Sequence, residues 1–339
     1  METLDQNGSV HNYSFPDYDM HNEESMSEEA HIAIPIILSI VSLLSLIGNI
    51  LVVVISVFYL RLQSLTIIFI LNLAVSDLLF TIGLMFQIHA VVWGFTLGNA
   101  ACKAVHFIFA AGFYSNLVFL VLMSVQRYMS VVRPRSSWKK GRCFTLVLIS
   151  AWGGSTLAAV PNAVYVEVYM RHCTYSSLTA MVGFMYEHNI GFVCAFLIMG
   201  CCFIRILQTI FKSPTNQRHR ITGLAFFLVA TYFICWAPFN IMLFITFLLY
   251  YQITHFHNYV HYYYAFLVCH ILAHIRCCLN PVIYGLFCVK FRTTVREILQ
   301  RRAMFNSAQM RMEELHSTSC DSLNNQVPDL DVNRDFSNL

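Results

Sequence analysis

The chain has 339 residues, 57% of them hydrophobic and only 12% charged, with a formal net charge of +3. A water-exposed globular surface normally carries about 25% charged residues, so this composition excludes an ordinary soluble domain. The small net charge excludes a strongly basic nucleic-acid binder and hides a marked polarity along the chain.

Residues 1–31 carry Glu2, Asp5, Asp17, Asp19, Glu23, Glu24, Glu28 and Glu29 and no Lys or Arg. They also lack the apolar region of a cleavable signal peptide, so the first hydrophobic span is expected to direct insertion. A bilayer core takes about 20 mostly apolar residues per helix. Seven stretches qualify, at 32–60, 66–95, 104–125, 144–166, 183–211, 221–251 and 259–289. Glu187 and Arg205 interrupt the fifth and Arg276 the seventh. The predicted fold is an all-α membrane protein, a seven-helix transmembrane bundle over residues 32–286. Nearly all loop Lys and Arg, including Arg133, Arg135, Lys139, Lys140, Arg142, Lys212, Arg218 and Arg220, fall in loops one-two, three-four and five-six. The positive-inside rule then puts the acidic tail outside and Lys290 onward inside. The sequons at Asn7 and Asn12 both lie in that outside tail, as glycosylation sites should. After the seventh span, residues 287–302 read as a short, basic amphipathic eighth helix on the inner membrane surface. Residues 303–339, with Ser307, Ser317, Thr318, Ser319 and Ser322, read as a disordered cytoplasmic tail.

Polar residues inside a membrane are costly and mark function. The spans hold Gly48-Asn49 in the first, Asn72-Leu73-Ala74-Val75-Ser76-Asp77 in the second and Gln126-Arg127-Tyr128 at the end of the third. Trp152 stands in the fourth, Cys235-Trp236-Ala237-Pro238 in the sixth, and Asn280-Pro281-Val282-Ile283-Tyr284 at the end of the seventh. In this order the motifs resemble those of rhodopsin-like G-protein-coupled receptors, over residues 32–302. Ser64-Leu65-Thr66, Trp93-Gly94, Cys277-Cys278-Leu279-Asn280-Pro281 and Lys290-Phe291-Arg292 resemble the chemokine receptors. Tyr186-Glu187-His188-Asn189 and Arg218-His219-Arg220 resemble their XC-type (lymphotactin) members.

The resemblance implies a multi-pass plasma-membrane receptor without cofactor, metal or nucleic-acid partner. Outside it would take a chemokine; inside, a heterotrimeric G protein of the inhibitory kind and arrestin. Pro238 and Pro281 each remove a backbone donor and weaken their helices for bending. Trp236, one turn before Pro238, would feel ligand from above. Arg127 would contact the G protein, flanked by Gln126 and Tyr128, and Tyr284 would swing inward on activation. Tyr18, Gln87, Trp93, Phe109, Glu187, Trp236, Asn240, Tyr263 and His270 are the ligand-binding candidates. Cys102 and Cys173 both fall on the oxidising outer side, and topology nominates them as a disulfide. The second bridge usual in chemokine receptors lacks both partners. The acidic tail suits a small basic protein ligand, and Asp17-Tyr18-Asp19 has the flanks that sulfation favours, with Tyr13 a weaker candidate.

Several positions depart from the family. Gln126 replaces the acid that restrains Arg127, and Phe203 replaces a tyrosine that helps hold the active state. Ala195 replaces a proline of helix five, helix two lacks one near Met85, and His270 replaces a glutamate that anchors the ligand's amino terminus. Glu187 is the substitute anchor this reading nominates. Arg276 lies one turn before Asn280 on a face that in relatives points to Asp77 and, with the position of Asn116, to a sodium ion. A lone mid-membrane arginine costs about 2.5–3.5 kcal/mol, so Arg276 is expected to pair with Asp77 and supplant sodium. Three rivals stand beside this reading: a scavenging receptor without G-protein output, a transporter, and a seven-helix zinc hydrolase built on the pair His270 and His274 at H-x-x-x-H spacing.

Overall fold

In the computed structural model, the described residues are 24–60, 62, 64–133, 141–212, 216–251 and 259–324. Tyr18, Asn7 and Asn12 lie outside them. Eight helices follow in chain order: α1 Glu24–Val54, α2 Leu65–Trp93, α3 Gly98–Val132, α4 Arg142–Val164, α5 Leu178–Lys212, α6 Asn216–Tyr250, α7 Tyr259–Phe287 and α8 Val289–Asn324. The first ends in a π-helical turn, Ile55–Tyr59. Helices α1 to α7 are each long and apolar enough to cross a membrane, and they pack as a bundle within residues 1–288. Large apolar side chains such as Ile47, Ile149 and Leu157 project from its outside. This is the distribution of a surface that meets lipid rather than water.

Small residues set the helix crossings. A Cβ on Gly112 of α3 would lie 2.3 Å from the backbone nitrogen of Phe80 and 2.8 Å from the Ser76 carbonyl oxygen of α2. Only glycine lets these two backbones approach so closely. Gly48 plays the same part between α1 and α7, where a Cβ would come 2.9 Å from the Pro281 ring. Asn49 stitches the same crossing by donating to the Cys277 carbonyl at 3.0 Å. Helix α3, packed on α2, α4, α5 and α6, runs through the middle and carries several of the residues discussed below. Trp152 of α4 donates its indole N–H to Asn72 of α2 at 2.8 Å. The side chain of Ser64 caps α2 by accepting from the Ile67 backbone at 3.4 Å.

Two features differ from the sequence reading. The four-five loop forms an antiparallel hairpin, β1 Val166–Tyr169 with β2 His172–Tyr175. Its two-residue turn puts Met170 and Arg171 at φ 44° and 64°, the backbone that right-twisted strands require. Helix α8, described by itself, continues to Asn324, so the part of 303–339 expected to be disordered is helical that far. The physical reason is plain in the residues: 289–324 contain neither proline nor glycine, and Ala303, Met304, Gln309, Met310, Met312 and Glu313 favour helix.

Candidate functional site

The hairpin lies over the outer end of the bundle and is tied down at three points. Cys173 is disulfide-bonded to Cys102, near the outer start of α3. Asn99 accepts from the Val168 backbone at 2.7 Å. Arg171 donates to the Trp93 carbonyl at 3.1 Å while its own carbonyl accepts from Phe95 at 2.6 Å. Burial and then the Glu187 carboxylate push the Tyr175 phenol of β2 above its usual range, so it stays a neutral hydrogen-bonding hydroxyl.

Beneath the hairpin an aromatic cluster closes the interior. Phe109 packs on Phe80 with ring centroids 4.5 Å apart and stacks on His274 at 6.1 Å. Trp236 sits 4.8 Å from Phe113, 6.2 Å from Phe80, 5.8 Å from Phe239 and 6.3 Å from Tyr232. His270 joins through Phe239 at 5.6 Å and His274 at 4.2 Å. Asn240 is buried and donates to the Trp236 carbonyl at 2.9 Å. Of the sequence candidates, Phe109, Trp236, Asn240 and His270 therefore come together. Gln87 is half-buried, and Trp93 and Tyr263 are exposed.

Glu187 departs from that set. On α5 its neighbour His188 turns into the cluster, stacked on Phe113 at 4.6 Å. Glu187, one residue and about 100° away, meets Tyr114 of α3 and Asn162 of α4 instead. Glu187, nominated as the substitute anchor for the ligand's amino terminus, thus stands on the α4 side of α5, apart from the residues around Trp236.

One turn deeper lies the polar core. Asp77 is 1% exposed; its Oδ1 accepts from Asn116 and its Oδ2 from Asn280, each at 2.5 Å. Arg276, 5% exposed, holds Nη1 3.6 Å from Asp77 Oδ1. Its Nη2 donates to Asn116 Oδ1, and its guanidinium lies 5.1 Å from the centre of the Tyr232 ring. The amides thus hydrogen-bond the carboxylate directly, and the arginine reaches it through Asn116 as well as through space. Buried charges need this combination of pairing and hydrogen bonding. Only about 10 Å³ of open space remains beside Asp77, Trp236 and Arg276, about enough for one water.

At the inner end Arg127 is buried and donates to Thr66 Oγ1 of α2 at 2.8 Å. Gln126 turns away and donates to Ser130 at 3.1 Å on its own helix. Tyr128 is half-buried, Phe203 is buried against Phe226 at 5.8 Å, and Tyr284 is fully buried. Pro238 and Pro281 sit inside α6 and α7.

Sequence reasoning missed Phe80 and Phe113 and gave His188 and Thr66 no role beyond the motifs that carry the family resemblance. The two phenylalanines look like ordinary apolar filling in a one-dimensional pattern, and the partners of His188 and Thr66 emerge only when the helices are set side by side. The His270 and His274 pair does not extend to a metal centre: His274 Nδ1 bonds the His270 carbonyl at 2.7 Å. Among the described residues no group of three His, Cys, Asp or Glu side chains could hold a metal.

This arrangement, an outer hairpin fastened to α3, an aromatic floor and a buried charge core above an inner arginine, is that of a seven-transmembrane receptor. The model of the 7 transmembrane receptor (rhodopsin family) matches residues 48–284, and the chain belongs to that family, among its chemokine receptors. It is 36% identical over 304 residues to Chemokine XC receptor 1 of Homo sapiens, covering 88% of this chain and 91% of the relative. With Chemokine XC receptor 1 of Mus musculus it shares 37% over 292 residues, 84% of this chain and 90% of the relative. With C-C chemokine receptor type 3 of Macaca mulatta it shares 28% over 323 residues, 88% and 89% of the two chains. It is accordingly a multi-pass protein of the plasma membrane and not an enzyme, which removes the hydrolase reading.

Proposed function

We propose that this receptor binds a chemokine on its outer face and passes the event to an inhibitory heterotrimeric G protein, with arrestin as a further inner partner. The observation that carries the proposal is the unbroken packing from Phe109 and His270 through Trp236 to Tyr232 and Arg276, in a chain so similar to a chemokine receptor. The ligand's leading segment would reach Gln87, Trp93, Phe109, Asn240, Tyr263 and His270 and press on Trp236. Helix α6, short of one backbone hydrogen bond at Pro238, would yield there. Arg127 would exchange Thr66 for the G protein, and Tyr284 would repack behind it, a two-state change of the kind packed cores support. Arg276 would supply internally the positive charge that sodium brings to Asp77 in relatives; a guanidinium 3.6 Å from the carboxylate already provides its counter-charge and repels a second cation there.

The scavenging alternative rests on two departures: Gln126 does not engage Arg127, and Phe203 has no hydroxyl to hold an active state. One experiment separates the two. Cells expressing the chain are challenged with a chemokine panel while cAMP and chemokine uptake are measured, with and without pertussis toxin. A toxin-sensitive fall in cAMP supports coupling; uptake without any G-protein signal supports scavenging and overturns it.

A further inference from the structure

The outer ends of α4 and α5 scarcely touch. Between them and β2 opens a cleft of about 370 Å³, within the size range of small-molecule pockets. Tyr165, Tyr175 and Phe184 form aromatic walls, buried Asn162 and half-buried Glu187 stand at its inner side, and Gly183 lies on its rim. The polar groups here form one network. Tyr175 donates to Asn162 Oδ1 at 3.3 Å, Asn162 Nδ2 donates to the Tyr114 hydroxyl at 3.4 Å, and Glu187 meets Tyr114 and Asn162.

Every member except Glu187 is neutral. The ion pair found among the described residues, Arg276 with Asp77, is a different site. An ionised carboxylate in an apolar helix is costly without a counter-charge, and the cleft lining contains no Lys, Arg or His. What the cleft presents is therefore one carboxylate set among aromatic surface, which favours cations and apolar bodies alike.

We infer that the α4–α5 cleft is a binding site for a small organic cation, a protonated amine on an aromatic or aliphatic body, with Glu187 as its counter-ion. The amine nitrogen pairs with the Glu187 carboxylate and the body lies between Tyr165, Tyr175 and Phe184. The site is separate from the aromatic floor around Trp236, since His188 and Phe184, 4.0 Å apart, form the partition. A ligand there wedges α4 against α5, so it modulates the receptor rather than replacing the chemokine. The inference stands whether or not the proposed coupling does.

The test uses the full-length receptor carrying Gly183→Cys, a position where a Cβ meets nothing within 4 Å. Two thiol reagents of similar size are compared by intact mass: the cation 2-(trimethylammonium)ethyl methanethiosulfonate and the anion 2-sulfonatoethyl methanethiosulfonate. Labelling of the parent chain, with its native cysteines, is subtracted. The expected result is a cation-over-anion rate ratio that falls roughly tenfold when Glu187→Gln is added, the size of effect one nearby carboxylate exerts at a part-buried site. N-benzyl-4-phenylbutylamine should protect the engineered thiol, while the neutral N-benzyl-4-phenylbutanamide should do so much less. Labelling indifferent to charge, or protection that does not favour the amine, overturns the inference.

Discussion

Arg276 shows what a single residue can say in a sequence and what it cannot. Its spacing from Asn280 points it at Asp77, because i and i+4 share a helix face, and the structure holds the two 3.6 Å apart. The bridging role of Asn116 and the supporting face of Tyr232 come from α3 and α6, and no spacing within α7 could reveal them. The consequence is testable. Arg276→Leu should strand a buried carboxylate and cost about 3–5 kcal/mol, seen as a large fall in surface expression and thermal stability. Adding Asp77→Leu should restore part of that loss, a coupling a double-mutant cycle reads directly. Arg276→Gln should make ligand affinity respond to exchange of sodium for choline at constant ionic strength, where the parent chain is unresponsive. Normal expression of Arg276→Gln with affinity still unresponsive would overturn the idea that the guanidinium replaces sodium. Glu187 teaches the opposite lesson. Its being an isolated carboxylate was legible, but a rotation of one residue on α5 decides whether it faces the floor or the α4–α5 cleft, and periodicity in a mostly apolar helix does not fix that angle.

At the scale of elements, the helices were legible because the membrane demands about 20 apolar residues each, and their ends fall within about two turns of the hydrophobic limits. The hairpin was not. Met170 and Arg171 adopt positive φ without the glycine or asparagine that usually announces such a turn. The α2–α3 crossing rests on Gly112, whose replacement by alanine would drive a Cβ to 2.3 Å from backbone that cannot retreat. Gly112→Ala should therefore abolish correctly folded receptor at the cell surface. Gly153→Ala, with open space around it, should be neutral or slightly stabilising, by up to about 1 kcal/mol; surface labelling with a conformational antibody distinguishes them. The same two helices hold the Arg127 guanidinium. Because Gln126 bonds Ser130 and the guanidinium rests on Thr66, Thr66→Val should, under the proposed coupling, raise ligand-independent G-protein activation several-fold. Gln126→Asp should lower it by returning a charge partner. Nucleotide exchange in isolated membranes measures both, and an unchanged baseline in Thr66→Val would mean the contact is incidental.

Across the whole molecule, charge does what hydropathy cannot. Hydropathy counts seven spans but does not orient them; the Lys and Arg of the basic loops do. The eight carboxylates of residues 1–31 bear on how a basic ligand would arrive. Long-range attraction raises the encounter rate and is screened within about 8–10 Å at physiological salt, whereas contacts formed after docking govern escape. Replacing Asp5, Asp17, Asp19 and Glu23 by their amides halves that charge. If the tail steers, association of the proposed chemokine ligand should slow several-fold at low salt, the difference from the parent should shrink as salt is added, and dissociation should hardly change. A variant that instead dissociates faster, with an unaltered association rate and salt dependence, would assign these acids to the docked interface. Tyr18, between two of them, would then be a contact residue rather than part of a field.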